Sequence, residues 1–213
     1  MSAELNHESA RPVVVLLHGL GRSPASMSLC AWRLARAGFE VRKIGYPSTR
    51  QTMEEALAYV RQALQRMPPS RISLVGHSLG GLIAAQLLHD PQGLQIDRAV
   101  QLGAPNRGSP MAGRLGWLWP VRRVCGPAVE ELAYLAPPDH TSSRIAAIGG
   151  TASWPMVSHG FERPNDGVVT LRSAWSGAGH RGRVHNLHSF LPVSPRAISL
   201  TIAFLRDGKM EPA

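Results

Sequence analysis

Short runs of valine, isoleucine and leucine, each stopped by a glycine or polar turn and followed by a helix-patterned stretch, constrain this chain more than any other feature. Val13 to Leu17 is unbroken by polar residues and halts at His18-Gly19, which is how a strand buried on both faces reads. Arg71 to Val75 and Asp97 to Leu102 supply two more strands, the latter of the same central type. Between the strands the apolar period becomes helical. Ser23 to Ala37 is expected to form a helix capped by Ser23, with Pro24 in its first turn and Gly38 ending it. Phe39 to Tyr46 supplies the second strand in chain order. Thr52 and Glu55 form a capping-box pair ahead of Leu57, Val60 and Leu64, which recur at helical spacing until Pro68-Pro69. Leu79 to His89 is a strongly apolar helix. This βαβαβαβ order with short connections predicts a parallel sheet with helices on both faces.

The second half is less regular. Residues from Asn106 to about Asp139 are rich in glycine, proline and tryptophan, lack a strand pattern and read as an insertion. Ser143 to Ile148 is expected as a fifth strand and Val184 to Leu187 as a short sixth. Ser194-Pro195 then caps a terminal helix carrying Ile198, Ile202 and Leu205. The reading is an α/β fold of about six mostly parallel strands. Its 213 residues suit one domain over 1–213, with a short cap-like insertion around 107–139.

Charge and cysteine content narrow the classes of function. The formal net charge of +9 raises a nucleic-acid or anionic-surface partner. The basic residues are spread along the chain, however, and the densest group, Arg181 and Arg183, has only Trp175 as an aromatic neighbour, so no binding stripe for nucleic acid is expected. Cys30 and Cys125 are too few for a disulfide framework and lack ligand spacing, so neither a metal nor another cofactor is implied. The polar N-terminus lacks the apolar core of a signal peptide, and no stretch reaches the length of a membrane span. A cytoplasmic location without integral membrane association is expected. No feature speaks for a particular oligomeric state.

The chemistry is carried by Gly76-His77-Ser78-Leu79-Gly80-Gly81, set between a strand and a helix. It resembles the G-x-S-x-G nucleophile elbow of the α/β-hydrolase superfamily, in which a serine sits on a strained strand-to-helix turn. The resemblance implies a minimal α/β-hydrolase fold with Ser78 as nucleophile, and His77 is read as a packing position. His18-Gly19-Leu20-Gly21 is similar to the HG-x-G loop of bacterial lipases and esterases. By that likeness the Leu20 and Leu79 N–H groups would receive the negative charge of a tetrahedral intermediate. Asn165-Asp166-Gly167-Val168-Val169 resembles the acid loop of lipases and implies Asp166 as the acid. Asp139 beside Pro137-Pro138 reads as a turn, and Glu162 lacks the Asp-Gly turn that would project it. Of nine histidines, His188 precedes the terminal helix in His188-Ser189-Phe190-Leu191, similar to the family's histidine loop. His185 is the other candidate, placed within the last strand. His180, His159, His140 and His7 fall in polar loops or the tail. Leu102 to Ser109 also resembles the G-x-P-x-x-G-S loop that leads into the cap of lipase-like members.

The residues Leu115, Trp117, Leu118, Trp119 and Val121 form an apolar group in the insertion that would wall an acyl pocket or else pack as a core helix. The implied function is hydrolysis of a small-molecule carboxylic ester through an acyl-serine, without a cofactor. A thioesterase, amidase or acyltransferase would use the same residues. The remaining alternative is a binding protein that keeps the scaffold without catalysis.

Overall fold

The computed structural model describes residues 11–210 except 69, 117, 137, 139, 140 and 157. Its six strands are β1 (Val13–Leu17), β2 (Glu40–Ile44), β3 (Ile72–His77), β4 (Ile96–Leu102), β5 (Ser142–Gly150) and β6 (Ala178–Val184). They form one sheet in the order β2-β1-β3-β4-β5-β6, and every neighbouring pair is parallel. The register aligns the carboxyl ends of the central strands: Leu17 lies opposite Gly76, His77 opposite Leu102, and Leu102 opposite Ile148. Parallel strands so arranged open a crevice beyond those ends, where loops from several strands converge.

Helices α1 (Ser28–Arg36) and α8 (Pro195–Asp207) cover one face, where Leu34, Ile198 and Phe204 meet Val14, Val75 and Val100. Helices α2 (Met53–Gln65) and α3 (Leu79–His89) cover the other, where Val60, Leu64 and Ile83 meet Val15, Leu74 and Ala99. Two buried faces explain why β1 reads as an apolar run rather than an alternation. The capping box forms as expected: Glu55 N–H donates to Thr52 Oγ1 at 3.2 Å, and Thr52 N–H donates to Glu55 Oε2 at 2.8 Å. Ser194 caps α8 through the Ala197 N–H.

Several expectations need correction. Ser23 does not open one helix to Ala37. Pro24–Met27 is a 3-10 turn and the Ser23 side chain makes no capping bond, so α1 starts at Ser28. The sixth strand is Ala178–Val184, not Val184 to Leu187. It is an edge strand whose inward residues are the small Ala178 and Gly182 and then Val184, so no hydrophobic run announces it. His180 therefore lies in this strand rather than in a loop, its ring tilted against Phe204 at 5.0 Å. His185 follows the strand instead of lying within it. Between β4 and β5 the chain forms three short helices, α4 (Pro110–Leu115), α5 (Trp119–Cys125) and α6 (Ala128–Glu131). The four-residue α7 (Leu171–Ala174) precedes β6.

Candidate active site

Ser78 sits where β3 ends and α3 begins, with φ 53° and ψ −119°. Few non-glycine residues adopt that backbone, and strain of this kind clusters at functional turns. The turn exists because its neighbours lack side chains. A Cβ on Gly76 would come within 2.1 Å of Gly80 O, and one on Gly80 within 2.6 Å of Leu17 O and His18 O. Helix α3 can thus pack directly onto β1 and β3. Ser78 N–H donates to Leu102 O at 2.9 Å, which ties the elbow to β4.

The loop that carries Asp166 follows β5. Asp166 is 2 % exposed, and its Oδ1 accepts from Val168 N–H at 3.1 Å and Val169 N–H at 2.8 Å. Its Oδ2 accepts from His188 Nδ1 at 2.8 Å, and His188 N–H donates to Asp166 O at 3.0 Å. A carboxylate can only accept, so Nδ1 carries the proton, and in the neutral imidazole Nε2 keeps its lone pair, as a base requires. His188 is 7 % exposed and opens the 3-10 turn His188–Val193. Among the described residues no hydrogen bond joins Ser78 Oγ to the imidazole, but both side chains line one cavity. His185 is placed elsewhere, its Nδ1 3.4 Å from Thr151 Oγ1. Glu162 is exposed and pairs with Arg172. Asp139, His140, Trp117 and His7 lie outside the described residues.

His77 is buried as a packing residue should be, yet it also bears on the site. Its Nε2 donates to the carbonyl of His188 at 3.1 Å, while its Nδ1 has no partner among the described residues. Burial, then the neighbouring His188, pushes it well below the usual histidine value, so it places no second cation beside His188. A second strut fixes the loop after β1. His18 stacks on Tyr46 with ring centroids 4.3 Å apart, and Tyr46 Oη donates to His18 O at 2.6 Å. His18 Nδ1 donates to Gly19 O, and burial lowers its pKa too. On that loop the Leu20 N–H finds no acceptor among the described residues. The Leu79 N–H is the first of α3 and has none within the helix.

The cavity over Ser78 measures about 270 Å³. Its apolar wall includes Met111, Leu115, Val121, Val129, Leu132 and Val169. Of the insertion residues expected to line a pocket, Leu115 and Val121 do so. Leu118 does not, and Trp119 points to solvent at 77 % exposure because it heads the short helix α5 with no element above it. Met111, Val129 and Leu132 went unnoticed because four-to-seven-residue helices carry too little periodicity to show a face. The insertion is held to the acid loop by Ser109, whose hydroxyl donates to Val168 O at 2.7 Å.

Residues 8–160 match the model of a family described as serine aminopeptidase, S33. The chain belongs to that family of α/β-hydrolases. The matched region contains Ser78 and ends before Asp166 and His188. Solved structures agree on the fold. The mature form of Bacillus licheniformis lipase BlEst2 superposes with a TM-score of 0.61 at 20 % identity, over 93 % of this chain and 92 % of that one. The metagenomic carboxyl esterase MGS0156 gives 0.67 at 19 % identity, over 84 % of this chain and 65 % of that one. The type II thioesterase BorB from the borrelidin biosynthetic cluster gives 0.61 at 18 % identity, over 92 % and 91 %. No curated protein matches the sequence. No helix among the described residues is long and apolar enough to cross a membrane.

Proposed function

We propose that this α/β-hydrolase cleaves small carboxylic esters through an acyl-Ser78 intermediate, with His188 as base and Asp166 as its orienting acid. The observation that carries the reading is the buried 2.8 Å bond from His188 Nδ1 to Asp166, beside a cavity that His188 shares with the strained Ser78. His188 Nε2 takes the proton of Ser78 Oγ as the oxygen attacks the ester carbonyl. The carbonyl oxygen becomes an oxyanion, held by the N–H groups of Leu20 and Leu79 and favoured by the N-terminal end of α3. Collapse expels the alcohol, which takes the proton back from His188. Water then repeats the sequence, giving up a proton to His188 and releasing the acid and Ser78.

The cavity favours an ester over the substrate that the family description names. An aminopeptidase holds a free ammonium, which calls for a carboxylate, and none of the described residues lining this cavity carries one. Its volume of about 270 Å³ lies at the small end of ligand pockets, and the α4–α6 segment, acting as a cap, walls the acyl side. Short to medium acyl chains fit best.

A fluorophosphonate probe and p-nitrophenyl esters of increasing chain length test the reading. Wild-type protein should be labelled and hydrolyse short and medium esters, and Ser78→Ala should do neither. Equal labelling of the two proteins would refute the nucleophile, and an optimum found only with long chains would refute the substrate range.

A further inference from the structure

Arg22 is the only arginine, lysine, aspartate or glutamate among the described residues lining the catalytic cavity. Its side chain makes no hydrogen bond or ion pair among the described residues. Other arginines of this protein pair with carboxylates, as Arg42 does with Glu40 and Arg71 with Asp97. Arg22 is exposed, and it is held through its backbone. Its N–H donates to Gly19 O at 3.2 Å, closing the turn that presents the Leu20 amide, so the guanidinium rides on the element that would hold the reacting carbonyl. Its charge reaches the elbow, since it is one of the causes that depress His77.

An unpaired guanidinium at the mouth of an apolar cavity has an evident counterpart. A carboxylate or phosphate oxygen pair matches its planar fork, and such charge-assisted bonds strengthen where water is partly excluded. We propose that Arg22 sets substrate specificity by receiving an anionic group of the ester, so that the preferred substrate carries a carboxylate or phosphate a few atoms from the scissile carbonyl. This rests on the esterase reading. The same group would repel an ammonium, which accords with the lack of a carboxylate among the described residues of the wall.

Two matched ester pairs test the proposal and tell the sides of the ester apart. On the acyl side, mono-p-nitrophenyl suberate is compared with p-nitrophenyl octanoate. On the alcohol side, 4-carboxyphenyl butyrate is compared with its neutral 4-(methylcarbamoyl)phenyl analogue. The quantity read is the anionic-to-neutral ratio of kcat/KM within each pair. Wild-type protein should favour the anionic member of one pair by about tenfold, chiefly through KM, which is the scale of one charge-assisted bond. Arg22→Ala should bring that ratio close to one, Arg22→Glu should drive it below one, and Arg22→Lys should keep part of it. Rising salt should erode it. A wild-type ratio near one in both pairs would overturn the proposal. So would an Arg22→Ala variant that lowers both members alike, the result expected if Arg22 merely stabilises the oxyanion or the loop. Fluorophosphonate labelling of Ser78 without charge preference sinks this inference alone. Absence of labelling together with no turnover of any of the four esters sinks the esterase reading with it.

Discussion

Asp166→Asn separates orientation of the base from every other property of the site. The amide oxygen can still accept the Val168 and Val169 N–H groups that Oδ1 accepts at 3.1 and 2.8 Å, so the loop should keep its shape. The amide nitrogen then faces His188 Nδ1 at the position of Oδ2, and two N–H groups cannot share a 2.8 Å contact. The imidazole therefore moves its proton to Nε2 and turns Nδ1 into an acceptor, leaving no lone pair toward Ser78. Reaching the reactive tautomer leaves a buried donor unsatisfied, at roughly 1–3 kcal/mol. The transition state also loses the attraction between imidazolium and carboxylate, about 4 kcal/mol at a charge separation near 4 Å and an effective dielectric of about 20. Together these amount to about 5–7 kcal/mol, or roughly 5 × 10³ to 10⁵ in kcat. Turnover of p-nitrophenyl butyrate is the assay, with thermal melting as the control for folding. A folded variant within tenfold of wild type would refute the pairing of Asp166 with His188 as the source of the base.

Other perturbations probe the surroundings of Ser78, Asp166 and His188. Burial holds the native pKa of His77 well below its unfolded value of 6.5, so the unfolded chain binds more protons as pH falls. The stability from neutral His77 is thus present above about pH 6.5 and lost below it at up to about 1.4 kcal/mol per pH unit, and Tm measured from pH 7 to 5 should fall less steeply in His77→Gln. Cys125 is half-buried in the cavity wall, whereas Cys30 is fully buried with its thiol pushed up to about 12. Iodoacetamide should therefore lower ester turnover in wild type and not in Cys125→Ser. Ser78→Gly should melt above Ser78→Ala, because only glycine relieves the φ of 53°. The expected gap is about 1–2 kcal/mol, or roughly 2–8 °C, and a Ser78→Ala that melts as high would remove strain from the account.

What could be read from the sequence was what the chain decides locally. The elbow lies within six residues and the capping box within four, and their chemistry survives any tertiary arrangement. Strands β1, β3 and β4 announce themselves because both their faces are buried, whereas β6 is an edge filled by Ala178 and Gly182 and looks like a loop. The position of His188 against Asp166 came from likeness of motif, since no local rule brings residues 22 positions apart to 2.8 Å. The cavity was least legible. Arg22, Met111, Val129 and Leu132 come from loops and short helices that meet only when the sheet places them. A tryptophan at 119 looked like a pocket residue by type, yet short α5 leaves it in water.

The site also gathers the locally unfavourable features of the fold. Ser78 occupies a positive φ, and His77 buries a ring nitrogen without a partner. Gly76 and Gly80 occupy element positions where side chains would normally add packing. Strain and an unsatisfied buried group cost about 1–3 kcal/mol each, against a total stability of about 5–15 kcal/mol for an ordinary domain. Such a cluster holds its shape only where the surrounding structure leaves it no alternative. Strand β3 meets that condition, being flanked by β1 and β4 and covered by helices on both faces. An elbow on edge strand β2 or β6 could relax by shifting the strand, which would let the serine drift from the amides and the imidazole. The central place of Ser78 is therefore a mechanical requirement of the strained turn as well as a way to bring loops from both sides of the sheet to one point.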